Sequence, residues 1–103
     1  MENLKFKNFV FNEGTNITVR RGVKWAGVKG KIKLQKAGVT TYKKGEILDT
    51  MVVRFLDLSM FQLTREHDPD CRTYEGLHKV MVETYPGFLD IEVVTVVVFK
   101  VDE

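Results

Sequence analysis

Polar and apolar residues alternate over much of the first half of the chain. Leu4 and Phe6 are interleaved with Lys5 and Lys7, and the stretch Leu4 to Phe11 reads as a strand. The run Phe9-Val10-Phe11 blurs the period and also fits a turn of helix. Asn12-Glu13-Gly14 is turn chemistry, and Asn16 to Arg20 is a short strand rich in β-branched residues. Arg21 to Lys29 is a glycine-punctuated loop holding the single tryptophan, Trp25. In Lys31 to Gln35 the alternation places Ile32 and Leu34 inward and the lysines outward. Ala37-Gly38-Val39 and Lys43-Lys44-Gly45 mark turns around another short strand. Glu46 to Leu56 is a longer strand, apolar enough on both faces to sit inside a sheet.

The period changes after Asp57. Ser59 to Arg65 fits a short helix, followed by the polar loop Glu66-His67-Asp68-Pro69-Asp70-Cys71. From Thr73, the residues Tyr74, Leu77, Val80, Met81 and Tyr85 fall at helical spacing. Thr73 suits the N-cap, Glu75 the first turn, and Pro86-Gly87 the stop. Ile91 to Val101 is almost continuously β-branched, the pattern of a central strand buried on both faces. Strands first, one or two helices late and a final central strand predict an α+β fold, a small mixed β-barrel with helices on one side.

Composition narrows the function classes. At 103 residues and 44% apolar, the chain is expected to form a single domain spanning 1–103 with one core of ordinary size. No apolar run approaches the ~18 residues of a membrane span, and the N-terminus lacks a signal-peptide core. The single cysteine excludes an internal disulfide and fits a reducing compartment. A cytoplasmic monomer without membrane contact is therefore expected. Residues 1–51 carry eleven Lys/Arg against four Asp/Glu, a net +7; residues 52–103 carry five against ten, a net −5. A basic half of this kind favours an anionic partner such as RNA.

Two segments hold candidate chemistry. On an extended strand Thr18 and Arg20 share a face, where a hydroxyl beside a guanidinium can hold a phosphate, a carbonyl or a base edge. Arg21, Lys24 and Trp25 follow, the indole offering a stacking surface for an unstacked base. The alternative is an edge strand with solvated arginines and a core tryptophan. In the second segment His67, Asp70, Cys71 and His78 lack C-x-x-C or H-x-x-x-H spacing, so no metal is expected. Asp68, Asp70 and Glu75 form an acidic cluster that serves either a helix start or proton transfer across a cleft. Phosphate-loop, dinucleotide, zinc-protease and nucleophile-elbow motifs are absent, and no cofactor is expected.

Three landmarks together resemble the ASCH domain family: Thr18-Val19-Arg20 after a first aromatic strand, the Glu66-His67 loop, and Tyr85-Pro86-Gly87 before the last strand. The similarity runs over most of the chain in the right order. It implies a PUA-like β-barrel and an association with RNA. Against the family signature, roughly G-x-K-x-x-T-x-R, Thr18 and Arg20 match, Thr15 stands at the lysine, and Gly14 falls one residue late. A small branch of that family hydrolyses N4-acetylcytidine to cytidine. That resemblance implies a threonine nucleophile at Thr18, an activating lysine, for which Lys24 is the substitute, and a loop glutamate nearest Asp70 or Cys71.

The favoured expectation is recognition of RNA or a modified nucleoside. Arg20 and Arg21 contact phosphate or a base edge, Trp25 stacks, and Thr18, His67 and Asp70 line the site with Lys24. The alternative is an amidohydrolase in which Thr18 attacks the acyl carbonyl, Lys24 or Arg20 assists, and Asp70 or Glu75 carries protons. A third class is a protein-interaction domain using the basic face.

Overall fold

The structure, a computed structural model, describes residues 3–102. Five strands form one mixed sheet: β1 (Asn3–Phe6), β2 (Thr15–Arg21), β3 (Gly30–Lys36), β4 (Tyr42–Arg54) and β5 (Val93–Val101). Their order is β1-β3-β4-β5-β2, with β1 and β3 parallel and every other pair antiparallel. Two helices, α1 (Met60–Leu63) and α2 (Tyr74–Thr84), lie between β4 and β5 in sequence. The result is a small α+β, barrel-like fold, as the element pattern predicts. None of the helices among the described residues is long and apolar enough to cross a membrane.

β5 is the interior strand expected from its β-branched run. It pairs with β2 from Val94 to Lys100 and with β4 from Val93 to Val101. Alternation then feeds two cores. Val94 and Val96 join Ile17, Val19, Phe55, Leu77 and Met81 under α2. Val97 and Phe99 join Leu4, Phe6, Trp25, Ile32, Leu34 and Ile47 on the opposite face. Phe55 and Phe99 are fully buried, each side chain contributing ~2–3 kcal/mol of transfer free energy.

Helix α2 forms where its period and cap predict. The Thr73 hydroxyl accepts the Gly76 N–H at 3.1 Å, and Leu77 and Met81 face the core four residues apart. α1 is capped by a reciprocal pair in which Ser59 and Gln62 each satisfy the other's backbone.

Three expectations change. β1 stops at Phe6, and residues 7–14 cross over as irregular chain, since Phe9 and Phe11 pack on Phe6 rather than continuing a ladder. Lys43-Lys44-Gly45 is not a turn; β4 runs straight through it. A Cβ on Gly45 would lie 2.7 Å from the Lys100 carbonyl and 2.8 Å from Leu34 Cδ1, so the glycine permits close strand packing. The second half of β4 is not buried on both faces either, because Leu48, Met51 and Val52 are exposed.

Candidate functional site

β2 alternates two kinds of residue. Ile17 and Val19 point into the α2-side core, whereas Asn16, Thr18 and Arg20 share the other face. Asn16 is fully buried and closes the preceding turn: its Oδ1 accepts the Asn12 N–H at 2.6 Å and its Nδ2 donates to the Asn12 carbonyl at 3.0 Å. Thr18 is buried, and its Oγ1 accepts from Arg20 Nε at 3.1 Å. The same guanidinium donates through Nη1 to the Lys5 carbonyl at 2.7 Å and lies over the Phe6 ring, 4.7 Å from its centre. Burial lowers the affinity of Arg20 for its proton, while Tyr85 and Glu66 work in the opposite direction.

The loop after α1 is stitched to this strand by backbone. Ile17 N–H donates to the Arg65 carbonyl at 2.9 Å, and His67 N–H donates to the Ile17 carbonyl at 3.0 Å. This single parallel rung sets Glu66 beside Ile17. Arg72 secures the loop from behind, donating to the Glu66 carbonyl at 3.0 Å and to Asn12 Oδ1 at 2.6 Å.

Glu66 is therefore a buried carboxyl, 2% exposed, whose Oε1 sits 3.2 Å from His67 Nε2 and 3.3 Å from the Asp68 N–H. His67 Nδ1 lies 2.9 Å from the Val10 carbonyl, and the ring packs against Phe6 and Phe11. A carbonyl only accepts, so Nδ1 carries a proton, and in the neutral ring that burial favours Nε2 presents a lone pair. The hydrogen bond to Nε2 is then donated by a protonated Glu66. Electrostatics agree. Burial pushes the Glu66 carboxyl up to about 8, against the opposing effects of the Asp68 N–H and Arg20. Burial also lowers His67, so both partners are neutral near pH 7.

These groups converge on one cavity of about 100 Å³ at the edge of the sheet, with Thr18, Arg20, Glu66, His67 and Cys71 on its wall. Lys5 and Lys7 from β1 and its extension border it, and Tyr85 closes the α2 side. Burial together with Glu66 and Asp68 raises Cys71, which stays a protonated thiol and no nucleophile. Among the described residues no cluster of three or more His, Cys, Asp or Glu side chains is arranged to hold a metal ion.

The other sequence candidates fall elsewhere. Trp25 is 7% exposed and packs in the core beneath β1, so the stacking role expected of it is lost to burial. Its edge and Lys24 line a neighbouring depression of about 370 Å³ that shares Lys5, Arg20 and Tyr85 with the inner cavity. Lys24 is exposed, with Nζ 5.9 Å from the Trp25 ring centre, and does not line the Thr18 cavity. Arg21 projects away from Thr18 and is held by Glu92, with 2.7 and 3.1 Å contacts to the two carboxylate oxygens.

Asp70 and Glu75 are exposed and line neither depression. The Asp70 N–H serves to cap a short turn on Asp68 Oδ1 at 3.0 Å. The carboxyls on Thr18's cavity are Asp68, from the acidic cluster, and Glu66, four residues earlier than Asp70. No protein-family model, curated protein or solved structure matches this chain.

Proposed function

We propose that the Thr18–Glu66 cavity receives the edge of a nucleobase, from a modified nucleoside or an RNA end. The observation that carries this reading is the neutral Glu66–His67 pair beside Thr18 and Arg20. With its proton given to His67 Nε2, Glu66 keeps Oε2 as an acceptor for the exocyclic amine of a cytosine-like edge. Arg20 and Thr18 add donors for a ring carbonyl. Lys5, Lys7 and Lys24 around the two depressions supply the sequence-independent attraction for a phosphate backbone. Trp25 has no part in it.

Calorimetric titration with cytidine, N4-acetylcytidine and short single-stranded RNA tests the reading. Binding is expected below pH 8 and weakens as pH rises through about 8, where Glu66 loses the proton that ties it to His67. Glu66→Ala is expected to abolish it. Binding that is indifferent to both pH and Glu66 overturns the proposal.

One feature favours hydrolysis of an acylated base amine as a second reading. A protonated acid stands on the same cavity wall as a buried hydroxyl. Thr18 Oγ1 would add to the acyl carbon as its proton passes to the Glu66–His67 pair, and the C–N bond would break as the amine takes a proton from Glu66. Water would then cleave the threonine ester, its hydroxyl going to the released acid and its hydrogen back to Oγ1. Cytidine formed from N4-acetylcytidine by the native chain, and not by Thr18→Ala, supports this reading. Binding without turnover refutes it.

A further inference from the structure

β4 has two different surroundings along its length. From Gly45 to Ile47 it lies between β3 and β5, but the β3 ladder ends where Gly30 faces Ile47. Beyond that rung, among the described residues, only β5 pairs with it, through to Arg54. The loop leading into β3 touches this half where Gly27 N–H meets Thr50 Oγ1 at 2.8 Å and where Lys29 Nζ lies 4.0 Å from Asp49 Oδ1.

Amide direction alternates along an antiparallel strand. Phe55 N–H donates toward β5, to the Glu92 carbonyl at 2.9 Å. Val53 and Met51 therefore also face β5, and Val52 and Arg54 turn their N–H and C=O groups outward. Open strand edges of this kind are templates for another strand, and proteins ordinarily blunt them with charge, proline or a covering segment. Here the surroundings are apolar: Met51 is 51% exposed, Val52 45%, Leu56 46%, Met60 65% and Phe61 88%. α1 is tied to the edge by Gln62 Nε2, 3.4 Å from Met51 Sδ. Two charged residues lie on this half: Arg54, paired with Asp57 at 2.9 Å, and Asp49, 4.0 Å from Lys29.

We propose that the open half of β4 is a homodimer interface, to which a second copy adds the same residues antiparallel across a twofold axis at Val53. Self-complementarity selects this occupant and this register. About Val53, the outward amides of Val52 meet those of Arg54 in the second copy, and the reverse holds across the axis. The two Val53 residues become the central, non-hydrogen-bonded pair. A register centred on Arg54 would set two guanidiniums face to face, and one centred on Val52 would place Arg54 against Thr50, where Gly27 already sits. The exposed apolar side chains bring roughly 1,000–1,200 Å² from two copies, at the lower limit for a stable interface.

Sedimentation velocity across a wide concentration range tests the proposal, with Val52→Pro and Phe61→Ser alongside. Proline deletes an outward N–H and leaves the β5 ladder intact. It is expected to weaken the dimer ~10-fold or more, since two hydrogen bonds per dimer are lost. Phe61→Ser, at a site 88% exposed, is expected to weaken it without affecting the fold. It decides the matter should circular dichroism show Val52→Pro to be misfolded. Val53→Cys is expected to oxidise to a covalent dimer, since non-hydrogen-bonded pairs bring Cα atoms to about 4.5 Å. Val39→Cys, at an exposed site in the β3–β4 connection, serves as the control that does not. A monomer at every concentration, a dimer insensitive to Phe61→Ser, or equal cross-linking at both cysteines overturns the proposal.

Discussion

Replacing Glu66 by glutamine isolates the central electrostatic claim, because Gln preserves the shape and a donor toward His67 while removing the titration. The sign follows from linkage. Glu66 has its folded pKa raised from 4.5 to about 8. Its contribution to stability is fully present below 4.5 and is lost as pH rises to about 8. His67 has its folded pKa lowered from 6.5, so its contribution is present above 6.5 and is lost as pH falls through that value. Just below 6.5 the two slopes oppose each other, and the native protein is expected to show a flatter profile there than above 6.5. From 6.5 to about 8 only Glu66 acts, and about 1.5 units of pH at 1.36 kcal/mol per unit remove ~2 kcal/mol. In Glu66→Gln the upper decline disappears, and stability instead falls as pH drops below 6.5, where His67 acts alone. Urea denaturation followed by circular dichroism at a series of pH values reads both profiles. Parallel curves for the two proteins across the whole range would falsify the assignment of a neutral, buried Glu66.

Other outcomes follow from the same geometry. Arg20→Lys keeps the charge but cannot serve both Thr18 Oγ1 and the Lys5 carbonyl with a planar fork, so a loss of ~1–3 kcal/mol is expected in urea unfolding. Gly45→Ala drives a methyl group against the Lys100 carbonyl and Leu34 and is expected to cost ~1–3 kcal/mol, read as a lowered denaturation midpoint. Trp25, 7% exposed, is expected to give blue-shifted fluorescence that iodide quenches poorly and that ligand addition leaves unchanged.

Most of the fold was legible because its signals are local. The cap at Thr73, the helical spacing of Leu77 and Met81, and the β-branched run of β5 all act within a few residues. β4 was read as two pieces because Lys43-Lys44-Gly45 has turn composition. What holds it straight is Leu34 from β3 and the Lys100 backbone from β5, which are distant in sequence. The site divided in the same way. Thr18 and Arg20 follow from strand alternation, whereas Glu66 owes its burial to a backbone rung on Ile17 that no local pattern announces. Asp70 looked equivalent by composition, yet its turn points it to solvent. The Glu66-His67 pair itself, an acid beside an imidazole just after a short helix, was the available signal. Trp25 went wrong for a related reason: a glycine-rich loop reads as exposed, but this one crosses over a core.

The position of β5 has a consequence for how the protein reaches its native state. The long ladder of β2 is with β5, across more than seventy residues of intervening chain, and β4 shares that same partner. Closing so long a loop is entropically expensive and rewarded late, which places these ladders among the slow steps of folding. The cavity at Thr18 is thus an all-or-none property. An intermediate containing only β1, β3 and β4 lacks the Thr18 cavity and leaves the aromatic face of β1 uncovered. Ligand present during refolding is expected to act after the rate-limiting step, slowing unfolding without accelerating folding.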